Sequence, residues 1–285
     1  EVLNLPVLRD QDDQLGVYVA VRGVLGGWNG AEIQLSTDDG ATVYSRTQKT
    51  EPSVIGYTTT DLAAWLSGEY PTEQSVTVYL PQAPESISYE ALLRYGNLAA
   101  IGDEVIQYQT VVDNGDDTYT LSGLVRGRYA TDPIAHPSAT RFVLIDASVT
   151  FVQAQTWMFG QTLSIRAVSL GTSADGVAWG SFDFSTAASQ TEWPVHMVAA
   201  ERDAGTDDVN VTWIGRARLG TETAPRHSQH FAGYRVAWDD GSTVTTADTT
   251  DSTYTIPAAV DPIDVTVTPL NSITGEGPAS EALTV

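Results

Sequence analysis

Apolar and polar residues alternate with period two through most of the chain, the spacing of strands with one face buried. Val17, Val19 and Val21 share one face, with Tyr18, Ala20 and Arg22 on the other. Ile33 and Leu35 alternate with Glu32, Gln34 and Ser36, and Asp38-Asp39-Gly40 and Thr42-Val43-Tyr44 follow. That order predicts a hairpin whose turn takes its positive φ from glycine. Val76, Val78 and Leu80 repeat the pattern, as do Leu163, Ile165 and Ala167. A second hairpin is predicted from a strand over 104–112, a turn at Asp113-Asn114-Gly115-Asp116-Asp117 and a return over 118–125, with a further strand over 141–146. Two stretches read as helical. One runs over 62–66, capped by Thr60-Asp61 and ended by Gly68; the other runs over 89–95, capped by Ser88 and ended by Gly96. Both are too short to stand alone in water and must pack on sheets.

The small, polar, unpatterned run Ser185-Thr186-Ala187-Ala188-Ser189-Gln190 marks a boundary. Beyond it the pattern is again period two. Val209, Val211 and Trp213 face one way, and Tyr234, Val236 and Trp238 share a face of a later strand. Asp239-Asp240-Gly241 makes a turn, and pairs at Tyr254/Ile256, Val265/Val267 and Leu283/Val285 follow. Short strands between turn signals predict an immunoglobulin-like sandwich. The predicted fold class is all-β: a multi-domain β-sandwich/β-barrel protein with two short helices and a C-terminal sandwich. Its expected divisions are a β-rich segment over 1–80, a hairpin or barrel domain over 81–185, and the sandwich over 190–285.

With 42% hydrophobic residues in 285, the chain can bury real cores. Its 36 acidic against 14 basic residues give a net charge of −22, which argues against binding nucleic acid or an anionic membrane. The absence of Cys rules out disulfides and thiolate-held metals. No apolar run approaches the ~20 residues of a membrane span. The start, Glu1-Val2-Leu3-Asn4-Leu5-Pro6, lacks an initiator Met and a signal pattern, so a segment of a longer protein, or a processed product, is expected.

Few residues suggest chemistry. Arg126-Gly127-Arg128 can be a clamp for phosphate or carboxylate. The preferred reading is structural: one arginine pairs with Glu104 or Asp132 across the hairpin, and Gly127 permits close backbone approach. His136 lies four residues after Asp132, but the chain has no Gly-x-Ser-x-Gly elbow and no cysteine nucleophile; the histidine reads as a loop residue whose ring packs or bonds to backbone. His227 and His230, with Glu222 upstream, have a metal-like spacing, yet Pro225 and Gly233 put them on a loop. The acidic turns at 113–117, 203–208 and 239–241 lack full calcium-loop spacing and are explained as hairpin turns. No metal site, no cofactor and no catalytic residue is expected, and the chain reads as non-enzymatic. Trp28, between Gly27 and Asn29-Gly30, is the best surface aromatic for contact with a glycan.

Two resemblances add to this. Trp213, Tyr234-x-Val236 and the ending Val265-x-Val267-x-Pro269-x-Asn271…Gly275-x-Gly277-x-x-Ser280 resemble a fibronectin type III domain, with Val265 where that family usually has a tyrosine. Further upstream, Gly102-Asp103-Glu104-Val105-Ile106-Gln107-Tyr108, then Tyr119-Thr120-Leu121, then Leu124 to Asp132 with Arg126-Gly127-Arg128-Tyr129-Ala130-Thr131, His136 and Arg141-Phe142-Val143 are similar to the conserved stretch of tail-tip hub, or host-specificity, proteins of siphophages and gene transfer agents. Ala130 stands where that family commonly has Gly. The run Gly16 to Ala20, Gly27-Trp28-Asn29-Gly30-Ala31 and Ser36-x-Asp38-Asp39-Gly40 resembles the segment preceding it. The resemblance implies a structural component of the distal tail tip, a homotrimer that contacts tail-tube, tail-tip and fibre proteins and faces a host receptor or glycan. Two alternatives are a carbohydrate- or receptor-binding adhesion module and an accessory region of a cell-wall-degrading enzyme.

Overall fold

The alternating segments fold as strands, and where a strand lies in its sheet decides how much of the alternation becomes burial. The computed structural model describes residues 1–24, 26–65, 72–220, 225–259 and 262–285. The protein is all-β, with a single short α-helix among the described residues, and none of its helices is long and apolar enough to cross a membrane. Residues 1–8 and 14–189 form one compact unit; residues 9–13 and 190–285 form a second.

In the first unit, Gly16–Val19 lies between Val2–Leu3 and Thr150–Gln153, antiparallel to both. All four of its residues are buried, so the outward face expected for Tyr18 is sealed as well. The Tyr18 hydroxyl accepts a hydrogen bond from the Leu8 amide at 2.9 Å, as a buried phenol requires. A four-stranded sheet runs in the order Gly180–Asp183, Thr162–Ser169, Ala31–Ser36, Ser45–Lys49. Its hairpin turn is longer than predicted. Thr42–Tyr44 stays outside the ladder, because Ser36 Oγ and Asp38 Oδ1 accept the amides of Gly40 and Thr42 and hold a wider loop.

Six further strands close into an antiparallel barrel. Around it run Thr72–Tyr79, Ile55–Thr58, Arg141–Leu144, Leu98–Ile101, Glu104–Gln107 and Thr118–Arg128, the last pairing back to the first. Strands from both sides of residue 80 alternate in this one sheet, so the expected segments 1–80 and 81–185 are one unit. Val76, Val78, Leu80, Ile101, Ile106, Leu121, Leu124 and Phe142 belong to its sealed core. The strand expected over 104–112 is broken into Glu104–Gln107 and Thr110–Asp113. Opposite the break, Gly123 of the partner strand has φ +64°, and the register of that strand against Thr72–Tyr79 shifts at the same place. A second register shift, between Val125 and Arg128, spans Gly127.

The helix Tyr89–Leu93 forms, with Ser88 Oγ accepting the Ala91 amide at 3.2 Å. The helix expected over 62–66 is not formed across Leu62–Trp65, and Leu66 onward lies outside the described residues. The reason is competition for its backbone. Leu62 exchanges both backbone hydrogen bonds with His136, Trp65 donates to the Pro133 carbonyl, and the Asp61 carboxylate accepts the Ser138 amide instead of capping a helix.

The second unit is a two-sheet sandwich. His196–Arg202, Val209–Ile214 and Thr253–Ile256 make one sheet. Val244–Thr249, Phe231–Asp239 and Asp264–Asn271 make the other, with Gly275–Glu276 and Leu283–Thr284 both pairing on Asp264–Asn271. This arrangement of three strands against five is the two-sheet sandwich predicted for the segment, with the last two strands short pieces on the same edge. Val209, Val211, Trp213, Tyr234, Val236, Ile256, Val265 and Val267 belong to its core, with the Trp213 and Tyr234 rings edge-on at 5.3 Å.

Candidate functional site

Arg126, Glu104 and His136 meet inside the barrel unit. Arg126 comes from the long strand Thr118–Arg128, Glu104 from the neighbouring Glu104–Gln107, and His136 from the loop that follows. The Arg126 and Glu104 side chains are 0% and 1% exposed. Arg126 Nε and Nη2 donate to Glu104 Oε1 and Oε2 at 2.6 and 2.7 Å, a two-pronged pair. Nη1 donates to the Ala63 carbonyl at 3.0 Å and to Gln74 Oε1 at 2.8 Å, and Nη2 donates again to the Ile134 carbonyl at 2.7 Å. Every N–H of the guanidinium is therefore used. Glu104 is equally saturated. Oε1 also accepts the Gly127 amide at 2.9 Å, and Oε2 also accepts His136 Nε2–H at 2.7 Å.

Burial alone would raise the Glu104 pKa. The hydrogen bonds from His136 and Arg126, the Arg126 charge and the Gly127 amide outweigh it and hold the carboxyl below its ordinary value. Glu104 is thus a carboxylate, and no donor or acceptor of the pair is left to engage a ligand.

The rest of the Arg-Gly segment wraps around this cluster. Gly127 has φ +63°, and a β-carbon there would lie 2.8 Å from the Thr131 carbonyl. The Arg128 guanidinium lies over the Tyr95 ring at 4.4 Å. Thr131 Oγ1 donates to the Arg128 carbonyl at 2.8 Å and accepts the Val105 amide at 3.0 Å, tying the turn to the next strand. Asp132, the alternative acidic partner, is exposed and stays out of the cluster.

Sequence reasoning expected the His136 ring to pack or to bond to backbone; its ring nitrogen instead binds the Glu104 carboxylate. It missed Gln74 and the carbonyls of Ala63 and Ile134 altogether, since carbonyl acceptors leave no trace in residue type. His227 stacks on Phe231 at 3.8 Å, and Glu222 lies outside the described residues. Among the described residues, no three His, Asp or Glu side chains are grouped to hold a metal ion. Trp28 is half-buried and lines a cleft.

A second buried polar cluster, in the sandwich unit, was not anticipated. Arg218 donates to Glu192 Oε1 at 3.3 Å, to Asp13 Oδ1 at 2.8 Å and to Gln190 Oε1 at 3.1 Å. Ser228 and Asn271 donate to the same Glu192 oxygen, at 3.1 and 2.8 Å. Its members are scattered through the sequence, with no motif to announce them.

Residues 53–143 match the family model described as Rcc01698-like, C-terminal, a family associated with gene transfer agents. The matched stretch coincides with the barrel: it opens just before Ile55 and closes within Arg141–Leu144. No curated protein matches the chain. Among solved structures, the FN1-FN3 domains of chicken CNTN1 align over 100% of this chain and 96% of theirs. They do so at 12% identity and a TM-score of 0.27, an overlap too loose to define a shared arrangement.

Proposed function

We propose that this chain is a structural, non-catalytic component of the distal tail tip of a tailed phage or phage-like particle. In this reading it acts as a homotrimer that scaffolds tail-tip assembly, contacts tail-tube and fibre proteins, and supports contact with the host surface. The observation that carries it is the coincidence of the family match with one closed barrel, whose Arg-Gly motif is locked inward. The six strands of the barrel pair with one another all round, and Thr110–Asp113 is a short four-residue edge strand off that ring, which suits a part that bears load without polymerising. The sandwich that follows serves as a peripheral spacer or host-facing module. Immunogold labelling of purified particles tests the location. Label at the distal tail end supports the proposal; label on heads, or none on intact particles, refutes it. Mass measurement of the purified chain tests the trimer, and a monomer at every concentration would remove that part.

A further inference from the structure

The loop after Val21 is fixed at both ends. The Val21 amide donates to Ser53 Oγ at 3.1 Å, the Ser53 amide donates to the Val21 carbonyl at 2.7 Å, and the Leu170 amide donates to the Gly30 carbonyl at 2.9 Å. Between these anchors, described residues of the loop and the end of Thr162–Ser169 border an open cleft of about 420 Å³. That size falls in the usual range of small-molecule sites, about 300–1,000 Å³. One wall is Trp28, half-buried and set close against Gly23, where a β-carbon would lie 2.3 Å from that of Trp28.

The polar side chains of the cleft are few, and most of their hydrogen-bonding capacity is open. Asn29 is exposed and hydrogen-bonds to nothing among the described residues. The Thr172 hydroxyl donates to the Ser169 carbonyl at 2.7 Å, which leaves its oxygen free to accept. Arg22 is exposed, with no ion pair and no hydrogen bond among the described residues. It is also the one charged side chain among the described residues lining the cleft. This is notable in a chain with 36 acidic and 14 basic residues, where Arg46, Arg94, Arg126, Arg141, Arg218, Arg226 and Arg235 are each held by a carboxylate. Repulsion from distant acidic residues is screened beyond about 8–10 Å at physiological salt, so the local cation governs what enters.

We infer that this cleft binds an acidic sugar, a hexuronic acid unit of a polysaccharide. The Trp28 face covers the apolar side of the pyranose ring, Arg22 takes the carboxylate with its two-pronged donors, and Asn29 and Thr172 meet ring hydroxyls. An aromatic wall alone fits any sugar. The unpaired arginine selects the charged one. This inference does not depend on the tail-tip reading and can fail or hold separately from it.

Calorimetric titration of the full chain with methyl β-D-glucuronide, methyl β-D-glucoside and inorganic phosphate tests it. Saturable glucuronide binding is expected, at least tenfold tighter than glucoside. Arg22→Gln, a change at an exposed position, should abolish that preference, and Trp28→Ala should abolish binding of both sugars. Should Trp28→Ala fail to fold, Trp28→Phe keeps a smaller ring face and is expected to weaken both sugars alike. No saturable glucuronide binding overturns the inference, as does a preference that survives Arg22→Gln. Phosphate binding as tight as glucuronide and indifferent to Trp28 would also overturn it, by reducing the site to a bare anion contact.

Discussion

At the scale of single residues, the stability of the barrel unit hangs on a pair that sequence half revealed. That one arginine of Arg126-Gly127-Arg128 pairs with Glu104 or Asp132 is readable from opposite charges close in sequence, but which arginine and which acid is not. The extent of their burial is not readable, since the Ala63, Ile134 and Gln74 acceptors come from elsewhere in the chain. Removing one member of a fully buried pair strands the other, at a cost of about 3–5 kcal/mol. Arg126→Ala should show that loss in urea unfolding, and Arg126→Lys should recover less than half of it, because an ammonium cannot present the planar fork. The pH dependence follows from the lowered carboxyl pKa of Glu104. A depressed folded-state pKa stabilises the fold above the unfolded value of about 4.3, and that stabilisation is lost as pH falls through the folded value. Glu104→Gln should therefore be less stable than wild type at neutral pH, yet lose less additional stability between about pH 5 and about pH 2. Equal acid slopes for the two proteins would show that another carboxylate sets the acid limit.

At the scale of elements, the misread segments were decided by partners that the alternation does not encode, near ones at the 36–45 turn and distant ones at the expected 62–66 helix. The helix expected after Thr60 fails because His136 and Pro133 take its hydrogen bonds, and the strand over 104–112 breaks opposite Gly123, whose φ is positive. Local pattern reports what a segment prefers, and tertiary pairing decides among the preferences. The turn after Arg128 makes this measurable. Tyr129 and Ala130 both have positive φ, +56° and +59°, a region that costs an L-residue roughly 1–2 kcal/mol. Ala130→Gly removes that strain while adding entropy to the unfolded chain, so a net stabilisation of about 0.5–1 kcal/mol is expected. Gly127→Ala should do the reverse, by about 1–3 kcal/mol, since its β-carbon meets the Thr131 carbonyl as well as an unfavourable φ. Chemical denaturation of the two variants beside wild type checks both signs; a destabilised Ala130→Gly protein would mean that the alanine methyl contributes packing that outweighs its strain.

At the scale of the whole molecule, the sequence showed a boundary near residue 190 but not that residues 9–13 belong with what lies beyond it. It also concealed that residues 55–144 close on themselves, because nothing in a strand's own pattern says which strand it will meet. Each unit has its own sealed hydrophobic cluster, one around Leu80, Leu121 and Phe142, the other around Trp213, Tyr234 and Val236. Each also has its own buried ionic cluster, centred on Arg126 and on Arg218. A unit with its own core unfolds cooperatively by itself, so calorimetry of the full chain should resolve two transitions. Arg126→Ala should lower only one of them, by several degrees, given roughly 2–4 °C per kcal/mol for units of this size. Val236→Ala should lower only the other, through the cavity it opens beside Trp213. If both variants shifted a single shared transition, the two cores would be thermodynamically one.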